Sequence, residues 1–123
     1  MYKRQHNNLG NVFRQLGQFD DAFNCYKKAS KLDQNYAEAF FSASLVLQSL
    51  GRYEDMIEYL EKLLVLKPSF FEGYNNLGIA FKEIGLYSKA ISAYQKALEI
   101  KSDYFEALNN PVSYTHLTLP TIA

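Results

Sequence analysis

The sequence predicts an all-α fold, an α-solenoid of antiparallel helix pairs with about three repeats and part of a fourth. The first observation is a fixed period, because Gly17, Gly51 and Gly85 follow one another at intervals of 34 residues. The second is that each period contains two segments with apolar residues at helical spacing. One helix pair cannot bury its apolar side alone, so the pairs are expected to stack into a continuous core.

Matching residues extend well beyond these glycines. The first and third copies share Asn7 and Asn75, Asn8 and Asn76, Leu9 and Leu77, Gly10 and Gly78, and Phe13 and Phe81. The second and third copies share Glu38 and Glu72, Tyr53 and Tyr87, Ile57 and Ile91, and Lys62 and Lys96. We therefore expect repeats at 6–36, 37–70 and 71–104, with residues 105–110 starting a fourth.

The first helix of each copy, helix A, and the second, helix B, can be placed from these patterns. In the first copy helix A is expected over about 6–16, and Gly17 ends it in a left-handed conformation. Its apolar face consists of Leu9, Val12, Phe13 and Leu16. Helix B then runs to about residue 32, with Ala22, Phe23, Tyr26 and Ala29 pointing inward. Residues 33–35 form the turn to the next copy.

The second and third copies follow the same order. Helix A of the second copy carries Phe40, Ala43, Leu47 and Leu50, and helix B, over about 53–66, carries Met56, Ile57, Leu60, Leu63 and Leu64. Pro68 suits the turn that follows, because proline cannot continue a helix. The third copy uses Tyr74, Leu77, Phe81 and Ile84 in helix A and Ala90, Ile91, Tyr94, Ala97 and Leu98 in helix B. A turn is expected at 101–103 before the fourth copy.

Both ends of the chain depart from the repeat. Residues 1–5 resemble a translated transposase adapter of the kind used to prepare DNA for sequencing, and residues 112–121 resemble its reverse complement. We therefore expect 1–5 and 111–123 to be adapter-derived, with the latter a disordered tail. The natural sequence would then be about 6–110, a fragment of a longer solenoid.

Composition argues against several classes of function. The chain has 13 basic and 13 acidic residues, so no basic excess points to nucleic acid. No apolar stretch is long enough to cross a membrane, and we expect no membrane partner. Cys25, the single cysteine, cannot form an internal disulfide, and a cytoplasmic location is favoured although the native N-terminus is not visible.

No set of residues supports catalysis, a metal or a cofactor, and we expect the chain itself to be non-catalytic. His6 lacks a partner at metal-ligand spacing, and Cys25 lacks a histidine that could activate it. Four carboxylates cluster on helix B of the second copy, at Glu54, Asp55, Glu58 and Glu61. They are expected to form a solvated helix face, in which Glu58 and Lys62 make an i,i+4 pair.

The third copy carries a resemblance to a known family through Tyr74, Leu77, Gly78, Phe81, Ala90, Tyr94 and Ala97. This pattern resembles the tetratricopeptide repeat (TPR) family, which implies a right-handed α-solenoid. The first copy matches with Leu9, Gly10, Phe13, Ala22, Tyr26 and Ala29. The second departs most, because Ala43 and Ser44 replace Leu-Gly while Met56 and Leu63 replace two alanines. We interpret this as an exchange of volume between the two helices, which cores tolerate.

The resemblance also implies that helix A residues line a concave groove. The expected peptide-binding residues are Asn7, Asn8, Asn11, Phe41, Leu45, Asn75, Asn76, Ile79, Lys82, Asn109 and Asn110. Asn8, Asn76 and Asn110 would stand in one line with Ser42 in the gap, similar to the asparagine ladder of O-linked N-acetylglucosamine transferase-type arrays. Primary amides suit a peptide backbone because they both donate and accept hydrogen bonds. The other interpretation is that these asparagines only bond neighbouring repeats or water.

The sequence therefore predicts a protein-interaction scaffold that binds an extended peptide or a partner domain. One alternative is the substrate-recruiting arm of a glycosyltransferase, sulfotransferase or similar enzyme whose catalytic domain lies outside this chain. Another is a spacer without a ligand. A chaperone's C-terminal carboxylate is not expected as the ligand, because Glu72 would repel it and the other clamp positions hold no lysine or arginine. The sequence does not indicate an oligomeric state.

Overall fold

A computed structural model describes residues 2–108 of the chain, and the side chains of residues 2–102. Over this range the chain forms six α-helices and no strand, which confirms the predicted all-α class. The helices are α1 (Tyr2–Gln15), α2 (Phe19–Leu32), α3 (Ala37–Ser49), α4 (Tyr53–Leu66), α5 (Phe71–Glu83) and α6 (Tyr87–Leu108). Helices α1, α3 and α5 are the helices A, and α2, α4 and α6 are the helices B.

Consecutive helices pack on one another along the whole array. Helices α1 and α2, α3 and α4, and α5 and α6 form the pairs, and α2–α3 and α4–α5 contacts join one pair to the next. Contacts between helices that do not follow one another are few, and the main pair of this kind is α1 and α3. Each pair is therefore held mainly by its immediate neighbours, as in other solenoids.

The turn inside each pair is a glycine C-cap. At the end of α3, Gly51 adopts a φ of 72°, where a side chain would be strained. Its N–H donates to the Gln48 carbonyl at 3.0 Å, and the Arg52 N–H donates to the Leu47 carbonyl at 2.9 Å. These two bonds form a Schellman motif, which satisfies the last carbonyls of the helix and reverses the chain. Gly17 and Gly85 adopt the same conformation.

The turns between successive pairs are formed by different residues, and the third predicted turn, at 101–103, does not form. Asp33 accepts the Asn35 N–H at 2.9 Å after α2, and Pro68 follows α4. The predicted turn at 101–103 is wrong, because α6 continues through it to Leu108. The physical reason lies at Ser102, which occupies the register of Pro68. Its hydroxyl donates to the Leu98 carbonyl at 2.7 Å, a bond compatible with an uninterrupted helix.

The first helix also differs from its predicted bounds, because α1 begins at Tyr2 rather than near residue 6. Lys3 stands one period before Ala37, the first residue of α3, so these positions fall in register with a helix A. Lysine, arginine and glutamine are good helix formers. Lys3 also pairs with the Asp33 carboxylate, which holds the pKa of Asp33 below its usual value.

The core is densest in the middle of the array. Leu47, Met56 and Leu60 are fully buried in the second copy, and Leu63 is nearly so. Leu9 and Val12 of α1 are instead 47% and 51% exposed, and Leu16, in the turn after the helix, is 64% exposed. Among the described residues no helix packs on that side of α1, so these three residues of its predicted apolar face lie on the surface. The fourth, Phe13, packs against the core as predicted.

Candidate peptide-binding groove

The structure divides the predicted groove residues into exposed, half-buried and buried groups. Asn8, Asn75 and Lys82 are exposed, and Asn11, Phe41, Leu45, Asn76 and Ile79 are half-buried. We call these eight residues of α1, α3 and α5 the groove surface. Asn109 and Asn110 lie outside the described residues. Of the predicted groove residues that the structure describes, only Asn7 is completely buried.

Asn7 joins two repeats instead of facing a ligand. Its side-chain amide donates to a Glu38 carboxylate oxygen of α3 at 2.8 Å, and its own oxygen has no hydrogen-bond partner among the described residues. The neighbouring Asn8, one residue further around the helix, is exposed. The sequence shows two adjacent amides but not which of them the next helix covers. Asn7 therefore leaves the set of candidate ligand-binding residues.

Asn11 has a partner inside its own repeat. The Tyr26 hydroxyl of α2 donates to the Asn11 side-chain oxygen at 2.5 Å. Burial raises the pKa of this phenol above its usual value, so the hydroxyl stays protonated and able to donate. The Asn11 amide group is thereby held in one orientation on the groove surface, with its NH₂ group available as a donor.

The predicted polar line is interrupted in the second copy. Ser42, which fills the position between Asn8 and Asn76, is only 6% exposed. An extended peptide lying along the groove surface would therefore reach the amides of Asn8 and Asn76, but the hydroxyl between them only to a small extent. The second copy offers apolar contact instead, through Phe41 and Leu45.

Phe41 is the best-defined apolar residue of the groove surface. Its ring meets that of Phe70 edge to face, with 5.0 Å between ring centroids and an interplanar angle of 90°. The contact fixes the Phe41 ring while leaving it partly accessible. Phe70 was not among the predicted site residues, although the aromatic at every thirty-fourth position, Tyr36 then Phe70, could have indicated it.

A cavity of about 580 Å³ opens beside Phe41, between α5 and α6. Its lining consists of Phe41, Phe71, Glu72, Asn75, Asn76, Tyr94, Ala97, Leu98 and Lys101. Sequence reasoning assigned Tyr94, Ala97 and Leu98 to the core and missed their contribution here. In the first copy the equivalent Tyr26, Ala29 and Ser30 are all buried. The side chain at this register is thus buried in the first copy, as Ser30, and 63% exposed in the third, as Leu98, where it lines the cavity.

The described residues give little support to a metal site or to a reactive cysteine. Over the described residues, no group of three histidine, cysteine or acidic residues is placed to hold a metal ion. Cys25 is buried, and desolvation raises the pKa of its thiol, which disfavours the nucleophilic thiolate. Glu58 and Lys62 form the expected pair at 3.4 Å on an exposed face of α4. None of the helices in the described part of the chain is long and apolar enough to cross a membrane.

Comparisons with known proteins agree with this architecture. Family models match at residues 10–51, described as TPR repeat, and at residues 37–70 and 71–104, both described as tetratricopeptide repeat. No curated protein sequence matches the chain.

Solved structures show the same fold. A structure of MamA is 28% identical, with a TM-score of 0.82 over 85% of this chain and 61% of that one. A second MamA structure is also 28% identical, with a TM-score of 0.79 over 88% of this chain and 58% of that one. The chain therefore spans about three fifths of the length of these two proteins.

A third similar structure contains a bound peptide. It is the second TPR domain of Spaghetti (RPAP3) bound to the HSP90 peptide SRMEEVD, which is 18% identical. Its TM-score is 0.77 over 81% of this chain and 93% of that one. At this identity the likeness concerns the fold alone. The period, the six helices and the three matching family models lead to one conclusion: the chain belongs to the tetratricopeptide repeat family.

Proposed function

We propose that this protein-interaction module binds an extended peptide segment along its groove surface, with Phe41 as an apolar anchor and Asn8 and Asn76 as backbone-binding amides. The observation that carries the proposal is that the accessible, fixed ring of Phe41 and the amides of Asn75 and Asn76 line one cavity of about 580 Å³. Rigid aromatic side chains and amides in one concavity are typical of peptide-binding sites, because the ring supplies contact area and the amides supply direction.

The chemistry of the surface restricts the ligand. Glu72 and Lys101 both line the cavity, so its lining holds one acidic and one basic side chain and has no formal net charge. The similar RPAP3 domain is bound to a peptide with three acidic residues, SRMEEVD. In this chain the groove positions nearest Glu72 are Asn75 and Asn76, which are uncharged. We therefore propose a segment without net charge that has an apolar side chain in contact with Phe41.

The test begins with a phage-displayed library of random twelve-residue peptides selected on the full chain. Selected peptides are then measured by fluorescence polarisation against Asn76→Ala, Asn8→Ala and the control Asn24→Ala, an exposed asparagine on α2. Losing one good hydrogen bond costs about 1 kcal/mol, which weakens binding by about fivefold. We expect that loss for Asn76→Ala and Asn8→Ala and no change for Asn24→Ala.

A double variant, Phe41→Ala with Asn76→Ala, removes the anchor and one amide together. Because Phe41 also packs on Phe70, circular dichroism must first show that this variant keeps its helices. Unchanged affinity of every selected peptide for a folded double variant would reject the groove as the binding site. Equal losses for the groove variants and for Asn24→Ala would also reject it.

A further inference from the structure

Another cavity lies away from the groove surface, between α2 and α4 and beside the start of α3. Its volume is about 460 Å³, within the range typical of ligand sites. We call it the lysine cavity, and its lining consists of Lys27, Ser30, Lys31, Gln34, Phe40, Tyr59, Lys62, Val65 and Leu66. None of these residues belongs to the groove surface, so the lysine cavity is a separate candidate site.

The lining of the lysine cavity contains three lysines and no acidic side chain. Lys27 and Lys31 form no ion pair with the described residues. Lys62 pairs at 3.4 Å with Glu58, which lies outside the lining, and both side chains are more than half exposed. An exposed pair of this kind contributes little, so Lys62 can exchange it for a carboxylate of a ligand. The lysine cavity therefore attracts anionic groups.

A fixed aromatic ring lies among these lysines. The ring of Tyr59 meets that of Phe23 edge to face, with 5.6 Å between ring centroids, and lies 6.0 Å from that of Phe40. Burial raises the pKa of the Tyr59 phenol, so the hydroxyl stays protonated and can donate to a carboxylate. Val65, in the same lining, is 80% exposed. A ligand that fits this lining therefore carries an apolar side chain as well as negative charge.

The corresponding positions one repeat later have a different chemistry. Glu61 occupies the register of Lys27, so an acidic side chain replaces a basic one. Ala93 occupies the register of Tyr59, so the aromatic ring is absent there. Because helix pairs stack at both places, stacking requires neither the lysines nor the tyrosine. The lysine cavity is thus a feature of the first two copies and not of the repeat.

From this lining we propose that the lysine cavity binds an acidic peptide segment of a partner protein, with carboxylates on both sides of one apolar side chain. The apolar side chain contacts Tyr59 and Val65, and the carboxylates pair with the three lysines. An RNA strand fits less well, because the chain has 13 basic and 13 acidic residues and thus no basic excess for a phosphate backbone. The inference goes beyond the proposed function, since it concerns another surface and a ligand of different charge.

The probe for this proposal is the synthetic peptide Gly-Ser-Asp-Glu-Phe-Glu-Asp-Gly-Ser. It is titrated to millimolar concentration into the full ¹⁵N-labelled chain at low salt and followed by heteronuclear NMR. We expect chemical-shift changes at the amides of Ser30, Lys31, Lys62 and Val65. A control peptide with asparagine and glutamine in place of the acidic residues should bind at least about fivefold more weakly. A peptide with serine in place of phenylalanine should show a loss of similar size.

Two triple variants of the full chain that change its net charge equally complete the test. The first is Lys27→Gln with Lys31→Gln and Lys62→Gln. It should bind the acidic peptide about tenfold more weakly, since it removes three exposed ion pairs. The control replaces exposed lysines outside both the lysine cavity and the groove surface, and should lose less than about twofold. It consists of Lys67→Gln, Lys89→Gln and Lys96→Gln.

Several outcomes would overturn the proposal. Equal losses for the two triple variants would show an unspecific attraction between charges, and equal binding of the serine peptide would show that no apolar contact is made. An absence of shifts at millimolar peptide would also reject the site. Shifts centred on Asn8, Leu45 and Ile79 would place the acidic peptide in the groove instead. An oligouridine that shifts the amides of the lysine cavity at lower concentration than the peptide would identify RNA as the occupant.

Discussion

Gly78 and Tyr94 form a close contact between α5 and α6 that leaves no room for a side chain on the glycine. A Cβ atom at Gly78 would lie 2.8 Å from two carbon atoms of the Tyr94 ring. In the second copy the same two positions hold Ser44 and Leu60, both fully buried. A serine is therefore accommodated where the facing side chain is leucine instead of tyrosine.

This pairing gives a compensation experiment. Gly78→Ser is expected to destabilise the chain by about 1–3 kcal/mol, because overpacking outweighs the gain in helix propensity. The double variant Gly78→Ser with Tyr94→Leu imports the pair of the second copy and should recover most of that loss. Urea denaturation of both variants and of Tyr94→Leu alone measures the coupling between the positions. If the double variant loses as much stability as the two single variants together, the contact between Gly78 and Tyr94 is not the reason for a glycine at position 78.

Single asparagines illustrate what could and could not be predicted at this scale. The period identified Asn7, Asn8, Asn75 and Asn76 as equivalent pairs, and that equivalence holds in the helices. Burial of Asn7 depends on the approach of Glu38 from the next repeat, which is a packing distance rather than a sequence pattern. The exposure of Asn75 has the same origin, since no described helix covers it. The repeat register of each asparagine could be predicted from the sequence. The side chains that surround it in the fold, and so decide whether it is buried or exposed, could not.

The ends of the helices could be predicted from the sequence wherever a particular residue type marked them. Three glycines with positive φ end the three helices A, as the sequence predicted. The turns between pairs depend on side chains that vary from copy to copy, such as Asp33 and Pro68. Ser102 provides neither an acceptor like the Asp33 carboxylate nor a ring like that of Pro68. Helix α6 therefore runs through the predicted turn and extends over 22 residues.

A proline at this position should restore the turn. Ser102→Pro removes the backbone hydrogen bond of residue 102 and places a ring against the Leu98 carbonyl, so α6 is expected to end before residue 102. Backbone chemical shifts and amide exchange of residues 103–108 should then lose their helical values. Ser102→Ala is the matched control, because it removes the hydroxyl contact to Leu98 and keeps the helix. Helical shifts that persist in Ser102→Pro would mean that other contacts hold the extension.

The whole molecule is held together by nearest-neighbour contacts, so its stability is expected to vary along the array. The middle pair, α3 and α4, has neighbours on both sides, while α1 and α6 have one side without a described neighbour. Seven residues of α3 are buried, against two in α1. In a solenoid each pair is stabilised by its interfaces with adjacent pairs, and end units open first. The ends should therefore open more often than the centre.

Hydrogen exchange and two leucine substitutions test this gradient together. Amide protection should be highest in α3 and α4 and lowest in α1 and α6. Leu60→Ala, at a position without solvent exposure, should cost about 2–5 kcal/mol, whereas Leu98→Ala, at 63% exposure, should cost less than about 0.5 kcal/mol. Because a chain of this size has only about 5–15 kcal/mol of stability, the first change should lower protection in every helix. Loss of protection confined to α4 would show that the pairs unfold independently. Equal losses of unfolding free energy for Leu60→Ala and Leu98→Ala would show that stability does not vary along the array.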